Sequence, residues 1–405
     1  MKVLKHKLSN GIVLLGERNP DLESMAFTIL IPGGAATDPL GKRGMAGLVV
    51  GYLFKGAGGL SAKELANKMD ELGVWHGHGA AREFVTFSAT VLPKNLPEAL
   101  KIFRIILTKP EFPKDSLKEL QALALQRLKS LEDNPQEKLF YELGQRFFPP
   151  PLSNPPWGVA EDIASISYRE VISYWENHYI PEGTIIAVAG NFDWEKLLVC
   201  VEDEFSELKL LKIKREKRTQ ETQGTQEHIP KETEQVQIGI AYKNVPYPHP
   251  DYFKAGVGVM ALSGGMSSRL FREVREKRGL AYTVFALHVT TKEHGGIFCY
   301  VGTTPKKAQK TLEVTLKELS RLKEGITQGE FEKAKINFKS GFIVQGESSQ
   351  ARSSVLAQDQ FYADKVRSVD EMIACVEGLR LEEINEHLLN YAPRGFTILT
   401  VGRDF

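Results

Sequence analysis

Cysteine is scarce in this chain. Its 405 residues hold three, Cys200, Cys299 and Cys375, far apart and without CxxC spacing. That excludes a disulfide framework and a zinc ribbon, and leaves three free thiols whose usual place is a protein interior. Charge of either sign is not in excess: 52 Lys and Arg stand against 51 Asp and Glu, a formal net charge of +1. This balance argues against nucleic-acid binding through bulk positive charge and against a polybasic membrane anchor. Long apolar runs are missing too, and none approaches the ~20 residues that a membrane-spanning helix needs. At the N-terminus Ser9, Asn10 and Gly11 interrupt any signal-peptide core. As written the chain reads as cytoplasmic, and as periplasmic if a leader has been removed. What is present is the mixture of a soluble globular protein, 42% hydrophobic and 25% charged. Its length favours two to three domains, each able to bury its own core.

The chain repeats itself. Tyr179, Pro181, Gly183 and Gly190 recur as Tyr391, Pro393, Gly395 and Gly402, all at an offset of 212 residues. Pro93-Lys94, before an amphipathic helix from Leu96, recurs at the same offset as Pro305-Lys306, before one from Ala308. Residues 212–234 are rich in Lys, Glu, Gln and Thr and nearly devoid of apolar side chains, so they read as a linker. The division is then 1–211, linker 212–234, and 235–405: two homologous α+β domains.

Local signals give each half the same plan. Gly11–Leu15, Met25–Ile31 and the stretch from Val74 to Leu92 read as strands bounded by turn residues. Gly44–Phe54 and Ser61–Leu72 read as helices, the second opened by a Ser61/Glu64 capping box. A third helix covers Leu117–Leu131. Each domain is expected to carry a mostly antiparallel sheet with helices packed on one face.

Several stretches together resemble the insulinase, pitrilysin and mitochondrial processing peptidase superfamily of zinc peptidases. They are Leu8-Ser9-Asn10-Gly11, Gly33-Gly34-Ala35-Ala36-Thr37-Asp38, Leu53-Phe54-Lys55-Gly56 and Leu131-Glu132-Asp133-Asn134-Pro135. In the second half they are Gly264-Gly265-Met266-Ser267-Ser268-Arg269-Leu270-Phe271 and Arg275-Glu276-Lys277-Arg278-Gly279-Leu280-Ala281-Tyr282. The resemblance covers the whole chain and implies two homologous domains in a clamshell-like arrangement. It also implies an HxxEH helix just before the Phe-Lys-Gly. Two His at i and i+4 share one helix face and a Zn²⁺, and the Glu serves as general base. A further Glu from the third helix completes the ligand set.

Every one of those positions is altered here. Gly47 and Gly51 stand at the two His positions, Val50 at the Glu, and Gln126 (or its neighbour Arg127) at the distal Glu. No two of the nine histidines are four residues apart, so no HxxEH exists anywhere. Glycine has no ligand atom and valine cannot accept a proton; the chain is expected to hold no metal of its own.

The other candidates are weaker. His76-Gly77-His78 could ligate a metal from one strand face, but no third ligand is apparent. Leu262–Ser268 lacks the phosphate-loop pattern and reads as tight-turn glycines before a Ser N-cap. His228 and His294 read as solvated. The proline-rich 147–158 reads as a rigid surface excursion rather than a polyproline ligand. Arg278 and Tyr282 resemble a family pair that hydrogen-bonds substrate backbone, a fixed donor fork beside a rigid hydroxyl. The resulting expectation is a non-catalytic, substrate-binding subunit of a heterodimeric zinc metallopeptidase. A related HxxEH-bearing partner would supply the zinc, and the substrate would be a peptide or unfolded protein in an enclosed chamber. The alternative is a structural or binding subunit without a role in proteolysis, like the core subunits of respiratory complexes.

Overall fold

The computed structural model describes residues 2–180, 182–211 and 224–405. It divides into two compact units, each built on one main sheet with helices.

The first unit opens with β1 (Val3–Lys7), β2 (Val13–Arg18) and β3 (Met25–Pro32), followed by α1 (Met45–Tyr52). A two-stranded hairpin, β4 (Gly56–Ala57) and β5 (Leu60–Ser61), leads into α2 (Ala62–Glu71). Ser61 and Glu64 form the expected capping box. Then come β6 (Trp75–Ala80), β7 (Phe84–Val91), α3 (Leu96–Thr108) and α4 (Ser116–Ser130). After α5 (Pro135–Phe147), the unit resumes with α6 (Ala160–Ser165), α7 (Tyr168–His178), β8 (Ile185–Gly190) and α8 (Trp194–Phe205). The strand order is β1-β2-β8-β3-β7-β6, antiparallel except where β2 meets β8. Alternate residues of β3 and β7 (Phe27, Ile29, Phe87, Ala89) face the main core with α1, α3, α7 and α8.

The second unit begins with β9 (Gln226–Pro230), β10 (Val236–Asn244) and α9 (Tyr252–Ser263). Next are β11 (Ala281–Thr290), β12 (Gly295–Thr303), α10 (Pro305–Ser320) and α11 (Gln328–Gly346). Beyond α12 (Ser349–Ala363) it closes with α13 (Val369–Glu377), α14 (Leu381–Asn390) and β13 (Thr397–Gly402). Its sheet runs β11-β12-β10-β13-β9.

Two domain boundaries read from the sequence are corrected. Residues 212–223 of the expected linker lie outside the described residues. Gln226–Pro230, assigned to the same linker, instead forms an edge strand parallel to β13. The second correction concerns α5 and α12, which occupy corresponding places in the repeat. Each packs on the sheet of the opposite half of the chain. α12 belongs to the first unit, where Leu356, Ala357 and Phe361 cover Leu15, Leu30, Phe84 and Ile185. α5 belongs to the second, where Phe147 meets Phe298 with ring centroids 5.0 Å apart. Glycine makes this approach possible: a Cβ at Gly296 would lie 2.3 Å from the Phe147 ring. The contiguous halves 1–211 and 235–405 are therefore repeats in sequence, but each folded unit takes a helix from the other half.

The thiols differ from expectation as well. Cys299 is buried, but Cys200 is only half-buried and Cys375 is exposed; all three are free. Among the described residues no helix is long and apolar enough to cross a membrane.

Candidate functional site

α1 carries three of the positions where the resemblance implies metal chemistry. Its start is fixed by Asp38, whose carboxylate accepts the backbone N–H of Gly44 at 2.6 Å and of Ala46 at 2.8 Å. Burial pushes that carboxyl up to about 7, against the backbone N–H groups that favour its charge. Most of α1 is core: Met45, Ala46, Leu48, Val49, Val50 and Tyr52 are buried. Gly47 and Gly51, one turn apart on one side, are the half-buried positions. A Cβ at Gly47 would lie 3.3 Å from the Pro156 carbonyl oxygen, and one at Gly51 3.4 Å from Leu120 Cδ2.

The proline-rich segment supplies that carbonyl, and it is packed rather than projecting. Arg82 Nη1 donates to Leu152 O at 2.6 Å, and Asn154 Nδ2 donates to Ala35 O at 3.0 Å. Gly158 lies so close to Gly44 that a Cβ there would be 2.5 Å from the Gly44 Cα. The reading of 147–158 as a surface excursion is therefore corrected: its last residues lie against the first turn of α1. Gln126 is exposed on α4, and the neighbouring Arg127 guanidinium stacks 4.3 Å from the centroid of the Trp157 ring.

These residues do not fit a zinc ion. Gly47, Gly51 and Val50 bring no donor atom, and Gln126 no carboxylate. Among the described residues, no group of three or more His, Cys, Asp or Glu side chains is placed to hold a metal.

β6 is an edge strand of its sheet, so among the described residues one row of its backbone N–H and C=O groups has no strand partner. Trp75 is 83% exposed there. His76 and His78 share the strand face turned toward Phe54, stacking on its ring at 5.2 Å and 4.1 Å between centroids. Burial lowers the His78 imidazole to about 4, and the neighbouring His76 adds to the effect. The two rings form an aromatic stack, and among the described residues no third ligand group joins them.

Tyr282 lies on β11, an edge strand of the second sheet, and Arg278 in the turn that leads into it; each follows or forms a backbone irregularity. Phe271–Glu276 is a π-helical turn. Such turns occur often at functional sites, where they re-aim the residues after them. At the start of β11 the pairing steps from Ala281↔Thr303 to Thr283↔Gly302, which leaves Tyr282 as the extra residue of a bulge. Its side chain is accordingly 77% exposed. Arg278 Nη1 donates to both the backbone carbonyl and Oε2 of Glu273, each at 2.7 Å. Glu273 also accepts from Lys277 Nζ at 2.6 Å. Bonds from Lys277 and Arg278 hold the Glu273 carboxyl down at about 2. No hydrogen bond is made by Arg278 Nε, Arg278 Nη2 or the Tyr282 hydroxyl among the described residues.

Sequence reasoning missed Glu273, whose signal was legible: acid at i with cations at i+4 and i+5. It missed Phe54 as the platform beneath the histidines, and nothing local in the sequence indicated that. The Gly/Ser loop holds no N-cap of the expected kind; the Ser268 hydroxyl donates back to Gly265 O at 2.6 Å.

Comparison with known proteins adds three findings. Residues 13–155 match the family model described as insulinase (peptidase family M16), and residues 165–338 the one described as peptidase M16 inactive domain. An uncharacterized zinc protease of Bacillus subtilis is 27% identical over 385 residues, covering 95% of this chain and 94% of the other. Among solved structures, a peptidase M16 inactive domain from Pseudomonas fluorescens superimposes with a TM-score of 0.92 at 22% identity, over 100% of this chain and 98% of that one. A chain of complex III2 from Candida albicans superimposes with a TM-score of 0.84 at 19% identity, covering 98% and 95%.

Proposed function

The chain belongs to the insulinase family of peptidases, M16, and from that premise we propose that it is the non-catalytic, substrate-binding subunit of a heterodimeric zinc peptidase. A related chain with an intact HxxEH supplies zinc and general base. This chain binds the peptide or unfolded protein substrate. The observation that carries the reading is a division of chemistry. The helix where metal ligands belong has Gly47, Val50 and Gly51, whereas Arg278 and Tyr282 keep unpartnered donors at an open strand edge. Extended peptides bind such edges by strand addition, and β6 and β11 are both edges. An Arg fork and a Tyr hydroxyl suit peptide carbonyls.

The test is co-purification with a related HxxEH-bearing chain, then zinc analysis and peptide hydrolysis by each chain and by the pair. The pair should hold zinc and cleave, and this chain alone should do neither. Stoichiometric zinc and cleavage by the isolated chain would overturn the proposal. The likeness to a chain of complex III2 favours one second reading, a structural subunit without a role in proteolysis. Under it, changes at Arg278 and Tyr282 leave any associated cleavage unaltered.

A further inference from the structure

We infer that the Arg278 edge is a carboxylate-binding site, so that the peptides this chain selects are acidic. The inference rests on the peptide-binding reading above and goes beyond it by naming the chemistry of the ligand.

A guanidinium presents five N–H groups in a fixed plane. Glu273 takes only the Nη1 side, through its backbone carbonyl and one carboxylate oxygen. Nε and Nη2 are left without partners, on a side chain that is 41% exposed. Those two nitrogens form the edge that matches a carboxylate with two parallel hydrogen bonds. Glu273 thus acts as a positioning residue: it holds one edge of the fork and leaves the other open.

The surroundings are cationic. Lys307 Nζ donates to the carbonyl of Gly279 at 2.7 Å, which brings an ammonium to the residue after Arg278. Arg272, Arg275 and Lys277 are exposed on the same turn, and the Arg275 guanidinium stands 4.8 Å from the centroid of the Phe271 ring. The acids on that turn are Glu273, already shared between two cations, and Glu276. In a chain whose overall balance is +1, this is a local concentration of positive charge. A neutral peptide carbonyl satisfies one donor and none of that field; a carboxylate satisfies two donors and the field together.

The experiment is fluorescence anisotropy on the full chain with labelled extended peptides. One position carries Glu, Gln or Lys, and each peptide ends either in a free carboxylate or in an amide. Glu should bind about 10-fold more tightly than Gln, and Lys more weakly than Gln. If the peptide terminus is the recognised carboxylate, the free-acid and amide forms should differ by a similar factor. Arg278→Ala should erase the discrimination, and Arg278→Lys, which keeps charge without the fork, should retain only part of it. Glu273→Ala should weaken discrimination, and Glu273→Asp should restore some of it. Raising salt from roughly 0.05 M to 0.5 M should compress the ratio. Circular dichroism confirms that each variant is folded. Equal affinity for all peptides, with Arg278→Ala still weakening each, overturns this inference and leaves the backbone-binding role standing. Binding of no peptide at all overturns both.

Discussion

Arg352 and Glu17, 335 residues apart in sequence, form a bidentate ion pair. Nε meets Oε1 at 2.7 Å and Nη2 meets Oε2 at 2.6 Å, with side chains 3% and 2% exposed. Arg352 lies on α12 and Glu17 on β2, so the pair ties the helix from the second half of the chain to the first unit's sheet. Removing one partner leaves a buried charge uncompensated. Glu17→Ala or Arg352→Ala is therefore expected to cost about 3–5 kcal/mol in urea unfolding, and an apolar pair of similar volume far less. A loss below about 1 kcal/mol for both single variants would contradict this account.

The glycines of α1 give a graded prediction. Gly in a helix interior costs roughly 0.5–1 kcal/mol against Ala. At Gly51 the added Cβ meets Leu120 at an ordinary 3.4 Å, so Gly51→Ala should stabilise by up to about 1 kcal/mol. At Gly47 it meets the Pro156 carbonyl at 3.3 Å, and the anchored 152–158 segment must give way. Gly47→Ala should gain less, or nothing. Chemical denaturation of the two variants side by side checks the order.

Two histidines packed against neighbouring side chains set an acid-side slope; His288 is half-buried, and His78 keeps an exposed edge while its ring stacks on Phe54. Burial lowers His288 to about 4, although its Nε2 contact with Val245 O at 2.9 Å opposes the shift. His78 lies at about 4 for the same reason. Unfolded, each titrates near 6.5, so between about pH 4 and 6.5 the unfolded chain binds more protons. Stability from these groups is complete above that window and is lost as pH falls through it. His288→Gln keeps a donor for Val245 and does not titrate, so its denaturation midpoint should fall less between pH 7 and pH 4.5. Parallel slopes for variant and parent would refute the assignment.

Under the proposed substrate-binding role, Arg278→Ala should lower the kcat/KM of the pair by about 10²-fold, the order seen when one preorganised hydrogen-bond donor is removed from an oxyanion hole. Tyr282→Phe should lower it by about 10-fold, with zinc content unchanged in both. Unaltered kcat/KM in both variants would favour the structural-subunit reading.

Much of the fold was legible because its signals are local. The Ser61/Glu64 capping box, the apolar run of β3 and the repeated Tyr-Pro-Gly turns each depend on residues a few positions apart. The exchange of α5 and α12 was not legible. Amphipathicity specifies that a helix has a face to bury, not which of two similar sheets receives it. Arg278 and Tyr282 could be singled out from sequence, but their availability could not. That depends on a π-turn, on a bulge and on Glu273, features settled by register and pairing rather than by residue type.

The absence of zinc ligands at the α1 positions is a matter of sequence alone, because no tertiary arrangement can give Gly47 or Gly51 a donor atom or Val50 a base. Only the tertiary structure decided what surrounds those positions. It set the Pro156 carbonyl against Gly47 and stacked Trp157 on Arg127. It left β6 and β11 as open edges, one bearing an aromatic stack and the other preceded by a turn with a free guanidinium edge. The physical reason is that composition determines which atoms exist, while packing and hydrogen-bond register determine which of them remain unpaired.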